Sequence, residues 1–329
     1  MTCTTMGKGS FITLPSDPLA PSEGYCVFEV KASGICGSDI PRLFQGGAYH
    51  YPLVVGHEFS GIVKDSTNKA LVGKCAAVFP ILPCGKCDAC QKQQWASCAH
   101  YDYYGSRRDG GMQSELLIKE SNLVFLPDGV SFESGAMIEP AAVCLHAIRK
   151  ASVDKDTRVL IYGAGTIGML CGMWARAKGA ARVFFSEPNK ERVALAEKAG
   201  FTPYDGTPVD TVIEASGVAV ALADAIERCV AHGKIVLVGH GPADVTLPHG
   251  AFVKILRKEL SLLGSWNSEH TDTVDDWRES AEAIASGALP VEQLITHRVP
   301  LSRANDALCI IAERKEIYNK IMVVMNDAT

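Results

Sequence analysis

A chain of 329 residues is too long for one ordinary hydrophobic core and fits two domains. With 47% hydrophobic and 21% charged residues, it reads as globular and soluble, which excludes a disordered or fibrous protein. A net charge of −5 gives no general attraction to nucleic acid or anionic membrane, although a local basic cluster can still hold a phosphate.

The N-terminal stretch MTCTTMGKGSFITL lacks the apolar core of a secretory signal. No run approaches the roughly 18 apolar residues of a membrane span, and the longest, such as KIVLVG (234–239), are strand-sized. Twelve cysteines without an export signal favour reduced thiols and some metal ligation over a disulfide scaffold. A cytoplasmic protein with neither nucleic-acid nor membrane partners is therefore expected.

Short β-like runs fill the first part of the chain: YCVFEVKASG (25–34), LVVGHEFSGIV (53–63), KCAAVFP (74–80), SELLIKE (114–120) and NLVFLP (122–127). Broken by Gly, Pro and Asp, they predict a compact, mostly antiparallel β domain. Beyond Ala151 the pattern changes. Strands RVLIYG (158–163), RVFFSE (182–187), DTVIEASG (210–217), KIVLVG and LSLLGS (260–265) alternate with helical stretches at 167–179, 190–200, 218–231 and 274–286. This order predicts a doubly wound, parallel α/β sheet with right-handed crossovers. The tail from His297 reads as strand, turn and helix, with a last strand over 320–325, and its domain is open on this reading.

Gly163, Gly165 and Gly168 form a GxGxxG loop that follows an apolar strand and opens a helix. The first glycine permits the tight turn, the second admits a pyrophosphate and the third lets helix and strand pack closely. Thr166 and Ile167 complete the loop, whose helix N-terminus faces the phosphates with free N–H groups. Alone the loop is a weak signal, but Glu187 ends the next strand about 20 residues on, where a carboxylate accepts from the adenosine ribose. A carboxylate there disfavours a 2′-phosphate, so NAD is expected ahead of NADP; Lys190 and Arg192 nearby soften that preference.

Cys84, Cys87, Cys90 and Cys98 form C-x2-C-x2-C-x7-C. Four thiolates so close suit a tetrahedral Zn²⁺ with no open position, which is a structural site. An iron–sulfur cluster is the rival, against which stand the spacing and the absence of a Cys-Pro ending. Cys36 in GICGSD, His57 and Glu58 in GHEFSG, and Glu139 in MIEP are a second, dispersed set. A mixed Cys/His/carboxylate group suits a catalytic zinc with an exchangeable position. Each residue also has an ordinary role as a buried hydrophobe or bonded polar group, and spacing does not bring them together.

In combination, GICGSD, GHEFSG, the four-cysteine lobe, IEP and GAGTIG resemble, in order and separation, the medium-chain, zinc-containing alcohol and polyol dehydrogenases. The resemblance runs through nearly the whole chain. It implies a GroES-like β-rich catalytic domain from 1–145 and 295–329, with a Rossmann NAD-binding domain at 146–294 between. It also implies a homodimer or homotetramer with one catalytic and one structural zinc. The implied activity is NAD-linked oxidation of a secondary alcohol on a small-molecule polyol or sugar phosphate. Rival substrates are a non-phosphorylated polyol, a ribitol-type phosphate or an aminocyclitol; a non-catalytic zinc protein of the same fold is the rival from another class.

Carried over by motif, Cys36, His57 and Glu139 are the catalytic zinc ligands, and Glu58 ligates or stands behind the metal. Ser38 is the first proton acceptor or an ordinary helix cap. Pro41 occupies the place where many relatives carry a relay histidine. The stretch FTPYDGTPVDTVIEASG is short for a complete strand–helix connection, which bears on the adenine side of the pocket. Arg107 and Arg108 in GSRRDGG offer guanidinium forks for a substrate phosphate. A solvated turn with one arginine on Asp109, or a contact to cofactor or subunit interface, is the alternative. Tyr49, His50, Lys254 and Trp266 join the substrate rim by resemblance, with core packing the rival for Trp266.

Overall fold

A computed structural model describes residues 2–7, 10–14, 18–241, 243–313 and 316–325. Two compact units emerge, one from Met1–Glu139 with Glu269–Thr329 and the other from Pro140–Ser268.

The first unit is built on a seven-stranded sheet in the order Ile295–Pro300, Lys320–Val324, Tyr25–Gly34, Glu58–Asp65, Cys75–Val78, Leu123–Phe125, with Glu115–Lys119 also on Tyr25–Gly34. All pairings are antiparallel except that of the two C-terminal strands. Tyr25–Gly34 is long enough to take Glu115–Lys119 on its first half and Lys320–Val324 on its last. Phe28, Val30, Phe59, Val63, Val78 and Ile118 close one core. The C-terminal helix Ala304–Glu313 buries Ala304, Ala307, Leu308 and Ile311, the single stripe of an amphipathic helix, against Leu43, Leu53, Ile321 and Val323. The tail read as strand, turn, helix and strand thus belongs to this unit.

The unit boundaries fall earlier than 145/146 and 294/295. Residues 269–294, read with the second domain, lie in the first unit. The reason is packing. Helix Asp276–Ala285, capped by Asp275, turns the fully buried Trp277 edge-on to Phe79 at 5.4 Å. Glu269 accepts from the Trp95 N–H at 2.9 Å and donates its own N–H to Asp276. The Trp277–Phe79 contact and the Trp95–Glu269 hydrogen bond hold the segment to the β unit, and the Glu269–Asp276 bond braces the segment itself.

The second unit is a six-stranded, wholly parallel sheet in the order Thr202–Pro203, Arg182–Ser186, Arg158–Tyr162, Val209–Glu214, Cys229–Leu237, Ser261–Gly264. The chain order reverses between Arg158–Tyr162 and Val209–Glu214, the switch point where such sheets open a ligand crevice. No helix links Thr202–Pro203 to Val209–Glu214, in keeping with the shortened connection in the sequence. The helix expected over 218–231 ends at Arg228, and a strand begins at Cys229. Lys258 accounts for the stop: its ammonium donates to the carbonyls of Ile226, Glu227 and Cys229, answering orphan acceptors at the helix C-terminus.

Candidate functional site

The four cysteines of the lobe come together as the spacing predicts. Their sulfur atoms all lie within 4.8 Å of one another, with Cys84–Cys90 at 3.9, Cys87–Cys90 at 3.5 and Cys87–Cys98 at 3.8 Å. A tetrahedron with Zn–S bonds of about 2.3 Å has edges of about 3.8 Å, so the thiols fit that metal without rearrangement. Backbone N–H groups of Cys90 and Ala99 hold the Cys87 thiol down to about 6, favouring the thiolate a metal requires. No coordination position is left over.

The dispersed set is assembled by sheet register. Gly34 pairs across the ladder with Glu58, so the loop just beyond Gly34 sets Cys36 beside His57 and Glu58. Ligand atoms of these three lie within 4.8 Å of one another. Sulfur, imidazole and carboxylate form a donor set suited to zinc, and three ligands leave a position for substrate. Gly34 is needed for proximity: a Cβ there would stand 2.2 Å from Glu58 Oε2. Glu139 lies outside this trio although it is buried in the first turn of helix Ile138–Ala151. The Tyr103 hydroxyl donates to it at 3.4 Å, and the Tyr103 ring stands 5.7 Å from that of His57. Burial pushes Glu139 up to about 7; His57 and Lys320 oppose that rise and Glu58 adds to it.

Two charged residues absent from the sequence reading complete the centre. Asp39 is wholly buried and accepts from the Cys36 N–H at 3.2 Å and from Arg42 at 3.1 Å. Its Oδ1 lies 3.5 Å from His57 Nδ1, long for a hydrogen bond, and that nitrogen makes no other. This carboxylate orients the ring and leaves Nε2 to act as ligand. Burial alone would lower the His57 pKa, but Asp39 and Cys36 outweigh it and hold it well above the ordinary value. Lys320 reaches in from the C-terminal strand, its ammonium 2.5 Å from Glu58 Oε2 and 3.3 Å from the Ile35 carbonyl. Burial opposes its charge, yet Glu58 keeps its pKa raised. Asp39 had a signal, as the last residue of GICGSD. Lys320 had none, because a lysine opening an apolar strand looks like any strand end.

Ser38 occupies the N-cap position of helix Asp39–Phe44 but makes no capping bond. Instead its exposed hydroxyl donates to Cys36 Sγ at 3.4 Å and accepts from Arg42. The two arginines diverge. Arg108 pairs with Asp102 at 2.6 Å, and Asp109, its supposed partner, caps the Val54 N–H instead. Arg107 is stacked over Tyr49 and Tyr101, with its guanidinium carbon 4.7 and 4.2 Å from the two ring centres. His50 bonds the Arg107 carbonyl at 3.1 Å. Lys254 and Trp266 belong to the second unit. Lys254 is bound to Glu227, and Trp266 is 61% exposed, so core packing does not explain it.

The glycine loop of the second unit has the expected geometry. Gly163 adopts φ +93°, and a Cβ on Gly168 would meet the Gly163 carbonyl at 1.9 Å. Gly165, Thr166 and Ile167 carry the chain into helix Thr166–Ala177. Glu187 accepts from the N–H groups of Ala164 and Asn189, both at 2.9 Å, which leaves acceptor capacity for ribose hydroxyls. A cavity of about 380 Å³ opens here at the strand ends, with Tyr162, Glu187, Ser216, Val218 and Asp224 in its wall. Its place at the switch point and its size suit a nucleoside.

Comparison with known proteins agrees with this geometry. Residues 22–128 match the alcohol dehydrogenase GroES-like domain, and residues 166–286 match the zinc-binding dehydrogenase model. The chain is 34% identical over 317 residues to galactitol 1-phosphate 5-dehydrogenase of Escherichia coli K12, covering 90% of this chain and 91% of that protein. It is 32% identical over 302 residues to L-idonate 5-dehydrogenase of Vitis vinifera, at 83% and 80% coverage. The crystal structure of galactitol-1-phosphate dehydrogenase from Escherichia coli matches with a TM-score of 0.91 and 32% identity, over 98% of this chain and 99% of that one. The chain belongs to the zinc-dependent medium-chain alcohol and polyol dehydrogenases, oxidoreductases that join a GroES-like domain to a Rossmann-type one.

Proposed function

We propose that this enzyme oxidises a secondary alcohol of a polyol phosphate to the ketose phosphate, with NAD as hydride acceptor. The observation that carries the reading is the convergence of Cys36, His57 and Glu58 within 4.8 Å, beside a closed four-thiol set that has no open position. The two named relatives act, by their names, at position 5 of polyhydroxylated substrates, one of them phosphorylated. A bound zinc supplies Lewis acidity toward an alcohol oxygen, and a bound NAD supplies the hydride acceptor.

The chain's own residues divide the remaining work. Cys36 and His57 hold the metal with Glu58 or Glu139 as the carboxylate ligand, and the four lobe cysteines hold the structural one. Asp39 fixes the His57 ring, and Lys320 balances the buried Glu58 charge. Ser38, exposed beside Cys36, takes the alcohol proton; with Pro41 where a relay histidine would stand, the proton leaves through water or Glu58. In the second unit Gly163, Gly165, Thr166, Ile167 and Gly168 hold the pyrophosphate and Glu187 the ribose. Glu187, with Asp224 in the same cavity wall, disfavours a 2′-phosphate and so selects NAD over NADP. The enzyme works in the cytoplasm as a homodimer or homotetramer, a reading supported by the family resemblance and the unpaired thiols.

The test is NADH formation by zinc-replete enzyme with galactitol 1-phosphate beside galactitol, sorbitol and ribitol phosphate. Turnover mainly on a polyol phosphate supports the reading. Turnover only on free polyols overturns the phosphate assignment, and silence on all of them together with no NADH binding overturns the dehydrogenase reading itself.

A further inference from the structure

Adjacent arginines in the turn after Tyr104 have opposite surroundings. Arg108 is committed: its Nε donates to Asp102 and its guanidinium lies over the Tyr104 ring at 5.4 Å. Arg107 is held without being neutralised. Its Nη1 donates to the Tyr101 carbonyl at 2.7 Å and its Nη2 to the Tyr49 hydroxyl at 3.4 Å. Among the described residues no carboxylate lies within ion-pair distance of it, and Asp102, which adds to its field, is bonded to Arg108. A guanidinium has five N–H donors, so most of this fork is turned to no protein acceptor.

The fork is also pre-positioned. Its guanidinium packs over two tyrosine rings, the part-buried Tyr101 and the more exposed Tyr49, which restricts the rotamer freedom that a binding arginine must otherwise surrender. His50 lies between the loop and the turn, its Nδ1 3.0 Å from the Pro52 carbonyl and its Nε2 3.1 Å from that of Arg107, and its ring N–H donates to one of the two. The Tyr51 hydroxyl donates to the Arg42 carbonyl, in the helix that follows Cys36. On the other side, Tyr101 packs edge-on to Tyr103 at 6.0 Å, and Tyr103 touches His57 and Glu139. The stack thus runs from Arg107 to the metal ligands within one unit.

We propose that Arg107, packed over Tyr49 and Tyr101, determines specificity by reading a phosphate monoester at one end of the polyol, and that Arg108 is structural. A planar fork matches two phosphate oxygens at once, which a hydroxyl-terminated polyol lacks. The inference rests on the polyol dehydrogenase reading above.

The experiment measures kcat/KM for galactitol 1-phosphate and for galactitol at saturating NAD, in the zinc-replete wild type, Arg107→Gln, Arg107→Lys and Arg108→Gln. The expected result is a fall of about 30-fold or more in the phosphate-to-polyol ratio for Arg107→Gln, carried by KM, the size of a lost charge-assisted hydrogen bond. Arg107→Lys recovers part of it through charge without the fork. Arg108→Gln lowers the melting temperature and moves the ratio by less than about 3-fold. Inorganic phosphate competes with galactitol 1-phosphate in the wild type and at least about 10-fold more weakly in Arg107→Gln. An unchanged ratio in Arg107→Gln, an equal change in Arg108→Gln, or an effect confined to the KM for NAD overturns the proposal. Wild-type turnover that favours galactitol overturns it while leaving the dehydrogenase reading intact; no turnover of either polyol overturns it too, and the dehydrogenase reading falls with it only when sorbitol, ribitol phosphate and NADH binding also fail.

Discussion

Two clusters of candidate metal ligands in one unit are built on opposite plans. Cys84, Cys87, Cys90 and Cys98 come from a single loop whose own turns bring the thiols to 3.5–3.9 Å. Cys36, His57 and Glu58 are brought together by the pairing of Gly34 with Glu58 across two long strands, and Lys320 arrives from a third. The lobe offers one ligand type, four thiols that would fill a tetrahedral shell. The dispersed cluster mixes sulfur, nitrogen and oxygen, keeps a position open, and stands among buried charges that the rest of the fold must hold. A centre meant only to brace a loop can be local; a centre meant to exchange ligands needs surroundings fixed independently of the metal.

Five substitutions test that contrast. Removing a ligand of the open cluster should have the largest effect on turnover. Cys36→Ala is expected to lower kcat/KM at least about 1000-fold and remove one of two bound zincs, with little change in melting temperature. Retention of both zincs, measured by metal analysis, would break the assignment. Lys320→Met strands the Glu58 charge in the interior and should destabilise the metal-free protein by about 3–5 kcal/mol in denaturant titration. Adding Glu58→Gln should recover most of that loss, and a purely additive pair would show that the two side chains do not act together.

Cys98→Ala in the lobe should reverse the first pattern. It loses the other zinc and melts roughly 10 °C lower, while folded molecules keep much of their kcat. Equal kinetic damage from Cys36→Ala and Cys98→Ala would erase the distinction between the clusters. The smallest effect belongs to Asp39→Asn, which keeps the shape but weakens the hold on His57. A 10- to 100-fold loss of affinity at the open cluster alone, read by competition with a chelator, is expected.

The difference between these clusters also governs how much was readable in advance. Periodicity placed the strands from Tyr25–Gly34 to Ser261–Gly264 well, because alternating or wholly apolar runs bounded by glycine and proline have few other uses. It misplaced the end of helix Ala219–Arg228, since the group that stops it, Lys258, is distant in the chain. It placed residues 269–294 with the alternating domain, as the family match over 166–286 does in large part, whereas their contacts join the first unit, because nothing near Trp277 announces that its partner is Phe79. At the open cluster, Cys36, His57 and Glu58 were legible as ligand types, but the nearness of Glu58 and the standing of Glu139 outside the trio were not. The two arginines were indistinguishable on paper and differ only in their neighbours.

By itself the sequence determined what is local: the four-thiol lobe, the glycine turn with Glu187 at the end of the next strand, and the change from β-rich to alternating architecture. In each the residues that act together lie within a turn or one strand–helix–strand unit, so short-range geometry fixes their distances. Only the tertiary structure decided which charges stand behind the open cluster, which arginine is left without an acidic partner, and where the C-terminal segments pack. Those depend on strand register and on buried partners hundreds of residues apart, such as Glu58 and Lys320, and a buried charge finds its answer wherever the fold supplies one.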